Sequence, residues 1–415
     1  MANNFANTNW VCMQILRLLL NKLEVSEYFD RNFEKEFEKE FAPGATVNVK
    51  FPQNFLVSDA MGYAPQGLNR LTTTISLDQW LQLAFEWDDY EAAVKLERSK
   101  EELMENYLEP AAAAIAQEWD SRAANWARMN ASQVAGVLGT DPTSVSTFYT
   151  ARRYLKEQSC PPGKRGMMIS SSMMSTLGSN ITAIFNPKDE ISKMWKEGYI
   201  GDLAGFQFFE SNSLWSHTAG TWAGTTGYPI VSGASQSGTS LVITANAGDT
   251  FNQGDKFSIL NVNRVNPKTR RYSGPVAVRT FTLTQALTAA GGAGADTINF
   301  LPAIYGPGSQ YQNVDALPVS GAALTLWPGT TSPNGKSGTV GLALSRFAFA
   351  MVGAKLYLPK KVEDSGEATD PETKMSVRTV HFWDPIRSVE GTRMDSLGGF
   401  GNLYQDNGAV AVVGA

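Results

Sequence analysis

His217 and His381 are the only imidazoles in this 415-residue chain, too few for a histidine-based metal site. Ser216 and His217 pair a nucleophile with a base by type. Adjacent residues point in different directions, however, and no carboxylate is tied to them by spacing, so the pattern does not support a serine-type triad. The sequence contains no CxxC, HExxH or GxSxG. "GTTSPNGKSG" at 329–338 resembles a phosphate loop, but five residues separate Gly329 from "GKS" where the motif requires four. "GTVGLALS" follows, and it is poor material for a helix N-terminus facing a phosphate. Asp88–Asp89 and Glu101–Glu102 read as solvated helix starts rather than acid–base pairs. The expectation is a protein that is not an enzyme, without catalytic, cofactor-binding or metal-binding residues.

Two further groups could bind rather than react. "NPKTRRY" at 266–272 has the cations to grip a phosphate, or to form salt bridges from a hairpin tip to a neighbouring chain. Trp215, Trp222 and Trp327 could line a sugar-binding face, although such residues are more often core or interface.

Composition narrows the classes. Hydrophobic residues make up 43% of the chain, so it is globular. Its net charge of −5 argues against a dedicated nucleic-acid binder, except for a shell that must not stick to the nucleic acid it encloses. Cys12 and Cys160 cannot form a disulfide framework and read as free thiols of a reducing compartment. The start reads as no signal peptide, and no apolar run is long enough to span a membrane.

The elements that must carry these residues follow from periodicity. Trp10, Met13, Leu16, Leu20 and Leu23 form a helical stripe, continued by "FEKEFEKEF" with Phe33, Phe37 and Phe41 four apart. This predicts a thin helix over 10–41, packed on its own domain or laid against a neighbouring chain. Val47, Val49 and Phe51 alternate as in a strand. In "LTTTISLDQWLQLAFEW", 71–87, apolar residues take nearly every odd position, Leu77, Leu83 and Phe85 among them, and Trp80 lies in the same run. A continuous strand of that length would reach about 56 Å, whereas an isolated two-stranded ribbon is barely stable in water. The reading is a long hairpin lined by a partner subunit.

Ala111, Ile115, Trp119, Ala123 and Trp126, after Met104 and Leu108, predict a helix over 99–130, with Pro110 at a kink or first turn. The composition then shifts. Residues 211–345 hold 11 charged residues in 135, against 64 in the other 280. "SLVITA", "KFSILNV", "VAVRTFTL", "TINFL" and "ALTLW" alternate there with turn signals, as in a small β barrel or sandwich inserted into an α+β host.

Several stretches resemble the major capsid (coat) protein of tailed bacteriophages, in the short-tailed-phage coat family with an inserted β domain. The C-terminal run 375–412 is the most specific, with "TRMDSLGG" from Thr392 to Gly399 at its centre. Residues 184–215 are similar to that family's helix followed by a glycine-containing strand. The long charged loop that the family often carries after "TTGYPIVSGASQSG" looks shortened here, since "TSLVITA" follows at once.

The resemblance implies an α+β, tailed-phage/herpesvirus-type major capsid fold. Its parts would be an N-terminal helical arm (1–43), an extended β loop (44–90), a spine helix and peripheral domain (91–155), a first apical part (156–215), an inserted all-β, barrel-like domain (216–338) and return strands (339–415). It implies hexamers and pentamers closing as an icosahedral head around double-stranded DNA, bound without sequence specificity. Assembly would occur in the host cytoplasm, with a scaffolding protein and a portal, and with a decoration protein as a further partner. Expected inter-subunit contacts are Phe33, Phe37, Phe41, Val47, Val49, Phe51, Leu77, Trp80, Leu83, Phe85, Arg264, Lys268, Arg270 and Arg271. The rival reading is another β-rich virion component, a tail or decoration protein.

Overall fold

The computed structural model describes residues 13–18, 23–31, 46–50, 55, 65, 67, 71–88, 109–181, 202–222, 229–271, 278–327, 334–359, 364–369, 375–386, 389–404 and 408–414. They form an α+β fold of two compact units: residues 1–51, 72–123 and 349–403 in one, and 52–71, 124–348 and 404–415 in the other. Among the described residues no helix is long and apolar enough to cross a membrane.

The first unit is organised by the strand Val389–Asn402. Along one edge it pairs antiparallel with Gln79–Asp88 over ten residue pairs, from Asp88↔Val389 to Gln79↔Gly398. Leu397 pairs with both Trp80 and Ala354, so Phe349–Ala354 must lie on the opposite edge. Ser376–Asp384 occupies that same edge farther along, and Asp364–Thr369 pairs outside it. The preceding ribbon, Thr46–Lys50 against Thr72–Ser76, is a separate two-stranded sheet.

The sequence explains how these layers come so close. A Cβ on Gly399 would lie 2.0 Å from the Ser76 carbonyl oxygen, and one on Gly401 would lie 2.4 Å from Ile75 Cγ1. "GGFG" at 398–401 therefore leaves room for the ribbon base to lie directly on the strand. Ile75, Leu77 and Val49 are buried there with Val352, Leu356 and Leu397.

The 71–87 expectation is corrected in two ways. The segment is two strands broken at Leu77–Asp78, not one. Its odd-numbered face stays inside across the break, since Ile75, Leu77 and Leu81 are all buried, so the alternation does not register the break. The apolar lining at the ribbon base also comes from the same chain rather than a partner. Its sheet partner lies some three hundred residues away, where no local pattern reveals it. Asp88 ends a strand rather than starting a helix.

The helix Glu109–Asn130 opens with Pro110 in its first turn, where the missing N–H costs nothing. Ala111, Ala112, Ile115, Ala116, Trp119 and Ala123 are buried. Small residues on this face let the helix approach its support closely, and Trp119 fills the one large site. Trp119 Nε1 donates to Ser396 Oγ (3.3 Å), and its ring meets Phe400 edge-on at 5.9 Å. The predicted helix over 10–41 is interrupted: residues 13–18 are helical, but Ser26–Tyr28 is a 3₁₀ turn and Asp30 a β-bridge to Ala350. Asp120 explains the change. Its carboxylate accepts from Glu24 N (2.6 Å), Ser26 N (3.0 Å) and Ser26 Oγ (2.7 Å), fixing backbone amides that a helix would use itself. Phe33, Phe37, Phe41 and Phe51 lie outside the described residues, as do Met104, Leu108, Asp89, Glu101 and Glu102.

The second unit contains a seven-stranded mixed sheet and a β barrel. In the sheet, Ala409–Val413 runs between Gln133–Gly136 (parallel) and Ser337–Ser345 (antiparallel), followed by Arg165–Ile169 and Phe206–Glu210. Phe148, Ala151 and Leu155 of the helix Ser146–Glu157 pack on it, with Met173 and Leu177 of Ser171–Ile181.

The barrel contains the expected strands in the order Leu324–Leu326, Lys256–Asn263, Val278–Leu283, Gly292–Ile304, Gly238–Ala245 and Ile230–Val231. Its two ends join, because Ile230 bridges Ala323 and Leu324 N donates to the Pro229 carbonyl (2.9 Å). Closure removes free edges around a core of Phe257, Phe281 and Phe300, whose rings are 5.1–5.7 Å apart.

Candidate functional site

Within the first unit, the polar chemistry converges on Asp395, in the middle of "TRMDSLGG". Its carboxylate is fully buried. It accepts from Trp80 Nε1 (3.3 Å) and Arg393 Nε (2.8 Å), and it pairs with the Arg378 guanidinium. Both guanidiniums also lie near the Trp80 ring, at 5.8 and 6.0 Å from its centroid. A buried carboxylate holding two cations and an indole is a positioning device: it fixes the ribbon strand to the central strand at one register. His381 is spent similarly, its Nδ1 lying 2.8 Å from Thr392 Oγ1 on the paired strand.

Of the expected contact residues in this unit, Val49 and Leu77 are buried in the chain's own core, and Trp80 is engaged with Asp395. Leu83 and Phe85 are half-buried on the strand Gln79–Asp88, and Val47 is placed in the ribbon by its pairing with Ile75. Phe55, in the segment between the ribbon strands, is 66% exposed.

Within the second unit a buried polar cluster gathers around Lys256. Its Nζ donates to the Arg128 carbonyl (3.0 Å) and to Thr282 Oγ1 (3.0 Å), anchoring the last turn of the long helix to two barrel strands. Thr282 and Thr280 donate in turn to the carbonyls of Ala131 (2.8 Å) and Ser132 (2.7 Å). Burial pushes the Lys256 ammonium down to about 7, with the nearby Arg128 guanidinium adding to the shift and Asp255 opposing it. Burial also lowers Arg128.

His217 is held in one tautomer. Arg128 donates to Nδ1 (2.9 Å), so the proton sits on Nε2 and is donated to Asp255 Oδ1 (2.8 Å). The structure thus supplies the carboxylate that spacing did not show, 38 residues away. A hydrolase would need Nδ1 or Nε2 free to meet a nucleophile, and both are committed. Asp255 further accepts from Asn252 N (2.8 Å) and Gly220 N (3.1 Å). Arg128, His217, Lys256 and Trp327 line a cavity of about 20 Å³, room for about one water.

The expected cations of 264–271 divide. Arg264, 5% exposed, is turned inward: it donates to Glu157 Oε2 (2.6 Å) and Gln133 Oε1 (3.2 Å) and lies 4.2 Å over the Tyr154 ring. That corrects the expectation of an outward contact at this position, because the helix end supplies the carboxylate it pairs with. Arg270 is half-buried and donates to the Gln310 carbonyl (2.6 Å), while Lys268 and Arg271 are exposed. The three tryptophans form no common face. Trp222 is buried against Phe251 at 4.7 Å, Trp327 Nε1 donates to the Val134 carbonyl (3.3 Å), and Trp215 is half-exposed. After "NGK" the chain enters the strand Ser337–Ser345, not a helix, so a phosphate loop is not built there.

No family model matches the chain, and no curated protein does. Similar solved structures include one from Mycobacterium phage Che8, with 12% identity and a TM-score of 0.45, covering 94% of this chain and 90% of that one. The capsid of Ralstonia phage GP4 has 9% identity and a TM-score of 0.44, covering 93% and 87%. The virus-like particle from Pyrococcus furiosus has 7% identity and a TM-score of 0.40, covering 97% of both chains.

Sequence reasoning missed Asp395, Asp120, Asp255 and Lys256 as organising residues. For Asp395 a signal existed: a carboxylate between apolar residues in a run of near-continuous burial needs partners. For the others, the partners lie 94 or more residues away or on different strands.

Proposed function

We propose that the chain is the major capsid protein of a tailed phage: a structural subunit whose copies form hexameric and pentameric rings closing as an icosahedral head around double-stranded DNA. One observation carries the reading. The segment most similar to that family, Thr392 to Gly399, is the strand on which the ribbon base, the long helix (through Trp119) and Asp395's cations all converge. The parts therefore occur in the order the resemblance implies: arm, ribbon, spine helix, return strands, with a barrel between.

Because the ribbon base is satisfied internally, the part that reaches a neighbour is its far end, around exposed Phe55. Each subunit would make the same head-to-tail contacts, which close by rotation into rings, and several contacts per subunit break together, so each can be weak. The divisions at 43, 90, 155, 215 and 338 are kept as functional parts, the barrel of 216–338 being the inserted domain. Scaffolding and portal proteins during assembly in the host cytoplasm, and a decoration protein on the finished virion, are the partners this role calls for. DNA is enclosed without sequence-specific contacts, which suits a chain of net charge −5.

Sedimentation velocity of the expressed chain tests the reading. Fast, narrowly distributed closed particles are expected. Open tubes would favour a tail component, and a persistent single-chain species would refute a shell.

A further inference from the structure

The exposed cations of the second unit are gathered at one place. Asn266 Nδ2 donates to the Glu157 carbonyl (2.8 Å) and to Ser159 Oγ (2.9 Å), and its Oδ1 accepts from the amides of Lys268 (2.9 Å) and Thr269 (3.1 Å). The loop bearing exposed Lys268 and Arg271 is thus fastened to the helix end bearing exposed Arg153 and Lys156. The floor beneath is cationic too. Burial lowers the Arg264 pKa, and Arg279 and Arg153 lower it further, against the opposing pull of Glu157 and Tyr154. A cation at a helix C-terminus is favoured by its carbonyls, which accounts for Lys156 but not for the loop.

The same chain carries the complementary charge. From Glu363 to Glu372 the sequence has five acids, Glu363, Asp364, Glu367, Asp370 and Glu372, and no Lys or Arg. The strand Asp364–Thr369 in this stretch ends the five-stranded sheet, paired to Ser376–Asp384 on one side and, among the described residues, to no strand on the other.

We infer that the basic surface made by the 266–271 loop and the end of the helix Ser146–Glu157 docks on the acidic edge strand, 363–372, of a second copy. This rests on the capsid reading and names a contact within it. The contact joins two different patches, so it propagates head to tail, as ring closure requires. Complementary charge also fixes partner and register more than it adds affinity. Nucleic acid is the weaker occupant, because the chain as a whole is acidic.

The test is a charge swap in the full chain. Lys268→Glu with Arg271→Glu, and separately Asp364→Lys with Asp370→Lys, should each raise the critical concentration for assembly at least about tenfold. The unassembled variants should keep the wild-type melting curve. The fourfold variant, which restores opposite signs, should assemble at close to the wild-type concentration. Double variants that assemble like wild type, or a fourfold variant no better than the worse double, overturn the docking while leaving the capsid reading standing. Unchanged assembly with loss of co-purifying nucleic acid in the Lys268/Arg271 variant would reassign the surface to nucleic acid. A wild-type chain that never assembles refutes the capsid reading itself.

Discussion

Trp80 Nε1 donates to Asp395 Oδ1 across 3.3 Å, joining residues 315 apart in sequence. The bond ties the ribbon to the centre of the closing motif, and the same carboxylate holds Arg393 and Arg378. Asp395→Ala would leave two guanidiniums facing a site that has lost its countercharge. The expected cost is about 3–5 kcal/mol, read from urea unfolding of the unassembled chain. Trp80→Phe keeps the ring and loses one hydrogen bond, at about 1 kcal/mol. Equal stability of Asp395→Ala and wild type would refute the role of Asp395 as a hub.

Gly398 makes a second, steric prediction. A Cβ there would lie 2.7 Å from Trp119 Cη2 and 2.7 Å from the Val352 carbonyl oxygen. Neither the fully buried indole nor a strand carbonyl can yield easily. Gly398→Ala should destabilise the chain by about 1–3 kcal/mol through overpacking, whereas Trp119→Phe with Gly398→Ala should recover part of that loss. A double variant less stable than the sum of both singles would contradict the contact.

These two sites mark what could be read in the sequence. Local periodicity reported the helix at 109–130 and the five barrel strands, because each buries one regular face. It reported the odd-numbered face of 71–87 correctly and misassigned what covers it. Gly398, Gly399 and Gly401 were visible as letters, but only the paired strand shows that each removes a side chain from beneath the ribbon. Charged residues misled in the same way. Arg264 looks like a surface cation by type, and its partners Glu157 and Gln133 become neighbours only once the barrel sits on the helix end.

Lys256 predicts a pH dependence. Its ordinary pKa is 10.5 and the folded chain holds it at about 7, so between these values the unfolded chain binds a proton that the native chain does not. Stability therefore rises with pH across that window and is insensitive to this group below it. Lys256→Met should flatten that rise, seen as a smaller difference in urea midpoint between pH 7 and pH 10 than in wild type. Parallel curves for the two proteins would show that the Lys256 ammonium is not desolvated as described.

The ribbon offers a separation of folding from assembly. Removing residues 45–80 would take Ile75, Leu77 and Trp80 out of the first unit's own core, so that deletion is expected to unfold the subunit as well. Replacing residues 52–70 with a short glycine-containing turn keeps both paired strands. The expected variant melts within about 1 kcal/mol of wild type, as surface changes do, and forms no closed particles. Normal particles from it would show that the ribbon's far end makes no necessary contact.

The most direct measurement is electron microscopy of the purified full-length chain, expressed alone and with its scaffolding protein. Isometric shells resolving into rings of six and five copies are the predicted result. Dispersed single chains under both conditions, with the fold intact by circular dichroism, would contradict the account.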